Sequence, residues 1–179
     1  FRGNNFSANV NAYRTQWMDR TLVESFQVGD TLYTANLLGV DAVHQGIELD
    51  FNYQIIDGIT IRGMASFGDW TWANDLTDVK IFDDLQTEVG EVDLFIAGLK
   101  VGNSAQTTAA IGLDANLFSG FKLGADVNYF GNNYADYDPN DRGNESDIGL
   151  QPWRIPDFYN IDVNATYTFK LGGNDLIFY

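Results

Sequence analysis

The chain has 179 residues, no cysteine and a formal net charge of −15, from 25 acidic and 10 basic residues. The lack of cysteine excludes disulfides and thiolate metal sites, and the excess of acid argues against nucleic acid as a partner. Hydrophobic residues make up 45% of the chain, but no run of about 18 apolar residues is present, so no membrane-spanning helix is predicted. This charge favours cationic ligands or divalent ions as partners.

Alternation of apolar and polar residues predicts strands at about 6–17, 41–56 and 58–73. The pattern is strictest in 47–55, where every odd position is apolar and every even one carries a carboxylate or an amide. Side chains alternate across a strand, so one face of this segment is hydrophobic and the other is polar. The residues Asp57-Gly58 tolerate positive φ and predict a tight turn between two of these strands.

The same alternation returns in the second half of the chain. It predicts strands at 105–118, 121–137 and 155–170, and the start of another from 175. Tight turns are predicted at Ser119-Gly120 and Gly172-Gly173-Asn174. Between the tight turns lie long connections at about 18–40, 74–104 and 138–154, so short and long connections alternate along a meander.

The length of the alternating segments distinguishes two classes of β protein. Strands of soluble proteins usually run about 5 to 6 residues, whereas a membrane-spanning strand needs roughly 9 to 11, as here. Aromatic residues such as Phe67, Trp70 and Tyr129 lie near strand ends, where the two membrane interfaces would be. The fold class we predict is therefore all-β, an antiparallel transmembrane β-barrel meander with tight periplasmic turns and long extracellular loops. A soluble β protein is the alternative.

Several segments resemble the late barrel strands of TonB-dependent outer-membrane receptors, especially those of Bacteroidetes. The resemblance covers nearly the whole chain and is carried by 6–15 with 17–21, 45–50, 105–109, 132–139, and 162–167 before 171–173. In that family the barrel has about 22 strands and a plugged lumen. The resemblance implies that 1–179 is the C-terminal portion of such a barrel, with the plug domain, the TonB box and the final strand outside this sequence.

The resemblance also implies a function, which is active uptake and not enzymatic catalysis. A scarce ligand, such as a siderophore, cobalamin, haem, glycan or peptide, would cross the outer membrane of a Gram-negative bacterium. The implied partners are the TonB complex acting through the plug, outer-membrane lipid and lipopolysaccharide, the transported ligand, and a surface lipoprotein in some receptors. The alternatives are a plug-free porin-like channel and a structural or secretion-linked barrel.

Four residues at the predicted loop ends and lumen mouth are the candidate ligand contacts: Trp70, Trp72, Tyr137 and Asp138. The two tryptophans share the inward parity of their strand, and their rings could stack on a sugar. Anchoring at the interface, or packing against 74–104, is the interpretation that we favour for them.

The oxygen-rich segment 136–144, with Asp147 beyond it, resembles a calcium loop in its spacing. Asp141 stands where an EF-hand has glycine, so a solvated acidic loop is favoured and bound calcium at an extracellular loop is the alternative. His44 is the only histidine and cannot build a multi-histidine metal site. We assign no catalytic, cofactor or metal-binding residues.

One cation stands midway along an inward strand face. Arg62 needs water or a partner there, and we expect it to pair with a lumen carboxylate such as Glu48 or Asp50 on the neighbouring strand.

Overall fold

The structure, a computed structural model, describes the backbone of residues 1–179 and every side chain except that of Val28. The described residues form a single antiparallel sheet: β1 Phe6–Val28, β2 Thr31–Ile56, β3 Ile59–Trp72, β4 Leu76–Phe82, β5 Glu88–Leu94, β6 Ala105–Phe118, β7 Phe121–Tyr134, β8 Arg154–Ile155, β9 Phe158–Leu171 and β10 Asn174–Phe178. No helix among the described residues has the length and hydropathy to cross a membrane.

The centre of the sheet is a seven-strand meander in the order β1-β2-β3-β6-β7-β9-β10. This all-β antiparallel order is the one that the sequence predicts. The three predicted tight turns are also confirmed, with positive φ at Gly58, Gly120 and Gly172. Within the described residues β1 and β10 each have one unpaired edge, so the sheet is open.

The predicted long connection at 18–40 is wrong. β1 has 23 residues and β2 has 26, and they turn at Gly29. The reason is a bulge between Trp17 and Leu22, where Asp19 takes a φ of 54° and the register shifts. A bulge inserts residues into one strand and breaks the alternation, so in the sequence it looks like a strand end. We call the paired segment that begins at the bulge, residues 18–40, the arm.

Side chains satisfy the backbone groups that the bulge leaves unpaired. The Asp19 N–H donates to the Asp41 carboxylate at 2.9 Å, and the Asp41 N–H donates to Asn74 Oδ1 at 2.8 Å. The Asn74 amide in turn donates to the Gly39 carbonyl at 2.9 Å. Buried backbone groups need such partners, so these bonds fix the base of the arm to the start of the next connection.

The other two long connections contain local structure. The connection 74–104 contains the β4–β5 hairpin, which pairs with the arm at Thr34↔Phe82 and Ala35↔Ile81. The connection 138–154 contains two short 3-10 turns, at Pro139–Asp141 and Glu145–Asp147. Both connections lie at the end of the sheet opposite the tight turns.

At this end the chain has a hydrophobic core, which we call the loop-end core. It consists of buried residues from the arm, the β4–β5 hairpin and the segments around them: Phe26, Ala35, Leu37, Val40, Ala42, Trp72, Leu76, Val79, Ile81, Leu94, Ile96, Leu99 and Tyr137. Burying a large aliphatic or aromatic side chain contributes about 1.5–3 kcal/mol. The connections are therefore packed together and fixed against the end of the sheet.

The meander has two chemically different faces. One row of paired residues runs Val10, Leu49, Ala65, Ala109, Tyr129 and Tyr159. The row beside it is mostly polar, with Asn9, Asp50, Asn128 and Asn160 next to Met64 and Ala110. We call these the apolar face and the polar face. Large side chains of the apolar face are exposed on five of the first six meander strands, β1, β2, β3, β6 and β9: Val10, Ile47, Leu49, Phe67, Ile111, Leu113, Tyr159, Ile161 and Val163. Those of β7, between β6 and β9, are half-buried.

Candidate functional site

Four aromatic rings meet on the polar face near the loop-end core. The His44 ring stacks on Trp70 with centroids 5.2 Å apart and planes within 12°, and Trp17 meets His44 edge-on at 6.4 Å. The Trp70 indole N–H donates to the Tyr13 hydroxyl at 2.9 Å. The rings line an open depression of about 560 Å³, which we call the aromatic depression, and Asn11, Thr15 and Glu48 complete its walls.

Two paired glycines allow these rings to lie flat across the strands. Gly46 and Gly68 are directly opposite each other in β2 and β3. A Cβ on Gly46 would lie 2.7 Å from the Tyr13 hydroxyl, and one on Gly68 would lie 2.9 Å from Trp70 Nε1. Any side chain at either position would displace a ring, so the glycines place the aromatic faces toward the open side of the depression.

The backbone of Trp70 is held by a buried side chain from a neighbouring strand. Gln106 Oε1 accepts from the Trp70 N–H at 2.9 Å, and the Gln106 amide donates to the Trp70 carbonyl at 3.0 Å. The ladder between β3 and β6 ends at Phe67↔Thr107, so this amide takes the place of a strand partner. Gln106 is buried and fully paired, which fixes the base of the indole.

The centre of the polar face holds an ion-pair group. Arg62 donates to both oxygens of Asp126 at 2.7 and 2.8 Å and also pairs with Asp114. A Cβ on Gly112, which lies between these strands, would come within 2.8 Å of Arg62 Nε. Arg62 therefore pairs with carboxylates of its own face, as expected, but the suggested partners Glu48 and Asp50 are wrong, because the guanidinium turns toward β6 and β7 and away from β2. Asp50 instead accepts two bonds from Asn9, at 2.9 and 2.8 Å.

The candidate ligand contacts Trp70, Trp72, Tyr137 and Asp138 are not all in one place. Trp72 and Tyr137 are each only 5% exposed and pack edge-to-face in the loop-end core, with centroids 6.0 Å apart. Packing of Trp72 against 74–104 is the arrangement that the sequence favours. Trp70 alone lines the aromatic depression. The ligand-binding role of these four residues stays a prediction.

Asp138 and Asp147 cap the two short 3-10 turns. Asp138 accepts from the backbone and the side chain of Asn140, both at 2.9 Å, and Asp147 accepts from the Asn144 N–H at 3.0 Å. Among the described residues no group of three or more metal-binding side chains is arranged to hold an ion. The carboxylates of Asp138 and Asp147 in this acidic loop thus accept hydrogen bonds from their own chain.

The arm contacts the connection 138–154 at an acidic seam. The Gln27 N–H donates to Asn140 Oδ1 at 3.0 Å. Burial, and then the charges of Asp136 and Asp138, raise the pKa of Glu24 above its ordinary value. Burial also raises the pKa of Tyr137, with a smaller contribution from Glu24. The seam therefore brings together carboxylates that repel one another.

Sequence reasoning did not identify three ring residues of the depression, Tyr13, Trp17 and His44, or Gln106, which holds the backbone of Trp70. A signal for the first two is present, because Tyr13 and Trp17 share one parity of β1. The glycines Gly46 and Gly68 give a second signal, but it can be interpreted only once the register of β2 and β3 is known. His44 packs against the rings of Trp17 and Trp70.

Comparison with known proteins gives no match: no family model matches the chain, and no curated protein or solved structure is similar enough to match it.

Proposed function

We propose that this chain is part of an outer-membrane β-barrel, with the apolar face against lipid and the polar face lining a water-filled lumen. The observation that carries the proposal is the apolar face, whose large side chains are exposed on five of six neighbouring strands and half-buried on the remaining one, β7. Soluble monomers rarely expose one continuous apolar surface of this extent. The opposite face has an arginine between two aspartates, which suits a lumen and is costly in lipid.

The spacing of aromatic residues on the apolar face supports a bilayer. Tyr129 and Tyr159 are in contact near one end of β7 and β9, and Phe121 and Tyr167 are in contact near the other. Eight residues separate the two pairs on each strand, or about 27 Å at roughly 3.4 Å per residue. At the tilt of barrel strands, about 35–45°, that distance spans about 19–22 Å of height, near the roughly 25 Å apolar band of such barrels.

The open edges and the number of strands support a larger barrel. Unpaired strand edges in lipid leave backbone groups without partners, so the β1 and β10 edges require further strands. The resemblance to TonB-dependent receptors supplies the architecture, a barrel of about 22 strands closed around a plug. In this assembly the tight turns face the periplasm, and the arm, the β4–β5 hairpin and the loop-end core face the outside.

The function that follows is uptake of a scarce ligand across the outer membrane, driven by TonB through the plug. The polar face contributes lumen wall, and the packed loop-end core gives the outer mouth a fixed shape. The chain makes and breaks no covalent bond in the ligand, so we assign it no enzymatic role. Lipid, lipopolysaccharide and the ligand are its partners on this proposal.

The experiment isolates the natural polypeptide from its membrane and determines the intact mass, the peptide map and crosslinking to the periplasmic domain of TonB. A polypeptide several times larger than this chain, with a globular segment before the barrel that crosslinks to TonB, supports the proposal. A polypeptide of this length, or a large one without TonB contact, contradicts active uptake. The second result would favour a plug-free channel.

A further inference from the structure

We propose that the aromatic depression is a binding site for an organic cation that carries an alkylammonium head. The inference deepens the proposed function, because it assumes that the polar face is the water-filled side of the wall. The depression lies next to the loop-end core, where a ligand entering from the loop side would first meet the polar face.

The rings provide the first attraction for a cation. Tyr13 and Trp70 are hydrogen-bonded to each other and lie over the paired glycines. The side chain of Trp17 is 51% exposed. The face of an aromatic ring is negative, so a cation within about 6 Å of it is attracted, most strongly by tryptophan. Both tryptophans of the depression are placed for such contact, since they line the same opening.

A carboxylate provides the second attraction. Glu48 lines the depression, and the ion pairs among the described residues use other carboxylates. The nearby Asp50 is satisfied by Asn9, so Glu48 is the charge at the wall that lacks a cation. No lysine or arginine lines the depression, and the chain as a whole is strongly acidic. A negative wall group in a strongly acidic chain attracts ligands of the opposite charge and raises their local concentration.

His44 does not compete with this cation. Its Nε2 is buried among the rings without a hydrogen-bond partner in the described residues. A protonated imidazole would leave a charged N–H there unsatisfied, which is costly, so the neutral ring is favoured. Neutral His44 then acts as a spacer that stacks on one face of Trp70 and leaves Trp17 free to contact the ligand.

Choline and its neutral isostere 3,3-dimethyl-1-butanol test the charge requirement directly, because they differ only in a nitrogen or a carbon at the centre of the head. Saturation-transfer NMR on the natural polypeptide in detergent micelles gives a dissociation constant for each, and methyl glucoside serves as the sugar probe. We expect choline to bind about tenfold or more tightly than the isostere. The corresponding difference in binding free energy is that of one or two cation–π contacts.

Two variants locate the site. Trp17→Ala and Glu48→Gln are each expected to weaken choline binding about 2- to 30-fold. The matched control is Trp153→Ala, which removes a more exposed tryptophan, 68% against 51% for Trp17, from the connection 138–154 outside the lining of the depression. It is expected to leave binding unchanged. Circular dichroism of each variant shows that the strands are intact.

Three results would overturn the inference. Equal binding of the isostere would mean that the depression is only hydrophobic, and binding of the glucoside without choline would make it a sugar platform. Absence of saturable choline binding would mean that there is no such site. These results leave the membrane proposal standing, whereas a polypeptide that fails to enter lipid vesicles would contradict that proposal without altering the titration in micelles.

Discussion

Val163 lies in the middle of the apolar face and gives the sharpest test of its role. It is midway between Tyr159 and Tyr167 on β9, and its side chain is 68% exposed. Replacing an exposed residue on a soluble sheet usually changes the free energy of unfolding by less than about 0.5 kcal/mol. Arginine at the bilayer midplane of a membrane barrel costs about 2–4 kcal/mol. Val163→Arg is therefore expected to reduce the folding equilibrium constant in lipid about 30- to 1,000-fold.

Asn164→Arg is the matched control on the same strand. Asn164 is exposed on the polar face, where its side chain lies over Gly124, and Asp162 and Asp126 are nearby on that face. A long cation there meets water and carboxylates, so the control is expected to fold as the natural chain does.

The assay is urea unfolding of the natural polypeptide and both variants in lipid vesicles, followed by tryptophan fluorescence. A cost of about 2–4 kcal/mol for Val163→Arg alone supports the assignment of faces. Equal effects of the two substitutions would refute it, and a larger effect of Asn164→Arg would reverse it.

Three further substitutions test the core, the ion pair and the acidic seam. Leu37→Ala, at a fully buried position of the loop-end core, is expected to cost about 2–5 kcal/mol, and its exposed neighbour Leu38→Ala less than about 0.5 kcal/mol, measured by urea unfolding. Gly112→Ala is expected to separate the arginine–aspartate pair and cost about 1–3 kcal/mol, whereas Gly90→Ala, whose Cβ would lie 3.8 Å from its nearest neighbour, is expected to cost little. Folding raises the pKa of Glu24 above 4.5, so Glu24 stabilises the arm at low pH, and this contribution is lost as the pH rises through the raised pKa. The protection factors of the arm amides against hydrogen exchange are therefore expected to fall over this pH range, and Glu24→Gln is expected to flatten that fall.

Each of these predictions has an opposite result. Equal costs for the two leucine substitutions would mean that the loop-end core does not stabilise the chain. A tolerated Gly112→Ala would mean that the ion pair adapts to a methyl group. Protection factors of the arm amides that rise with pH would contradict the sign of the pKa shift of Glu24.

The central meander could be predicted from the sequence because alternation is a local property. In 47–55 the polarity of each residue predicts the side of the sheet on which its side chain lies. Turn residues such as Asp57-Gly58 mark where the chain reverses. The strand order then follows because consecutive strands joined by tight turns pair with each other. The arm could not be predicted, since the bulge at Asp19 interrupts alternation within a strand that continues beyond it.

The contacts within the sheet depend on distances that the sequence does not contain. Arg62 has a neighbouring strand on each side, and alternation gives the face of its side chain without the direction in which it turns. The choice of Asp126 and Asp114 depends on the space over Gly112. The aromatic depression likewise needs the register that sets Gly46 opposite Gly68 before its rings can be placed.

The loop-end core shows the same limit for packing. Its members come from short segments without a sustained period, such as Ile96 and Leu99, so no pattern marks them as buried. In the sequence, Trp72 and Tyr137 are candidate ligand contacts near strand ends, and packing against 74–104 is indicated only for Trp72. They become core residues because the arm and the β4–β5 hairpin fold against them.

The most direct test of the account is which side of the sheet meets lipid. The chain has no cysteine, so single cysteines at positions 161–165 of β9 can each carry a spin label without background. Electron paramagnetic resonance in lipid vesicles then compares access of oxygen, which dissolves in lipid, with access of a water-soluble nickel complex. For a membrane-spanning sheet we expect oxygen access at 161, 163 and 165 and nickel access at 162 and 164. Nickel access at all five positions, or no alternation, would contradict a membrane-spanning sheet.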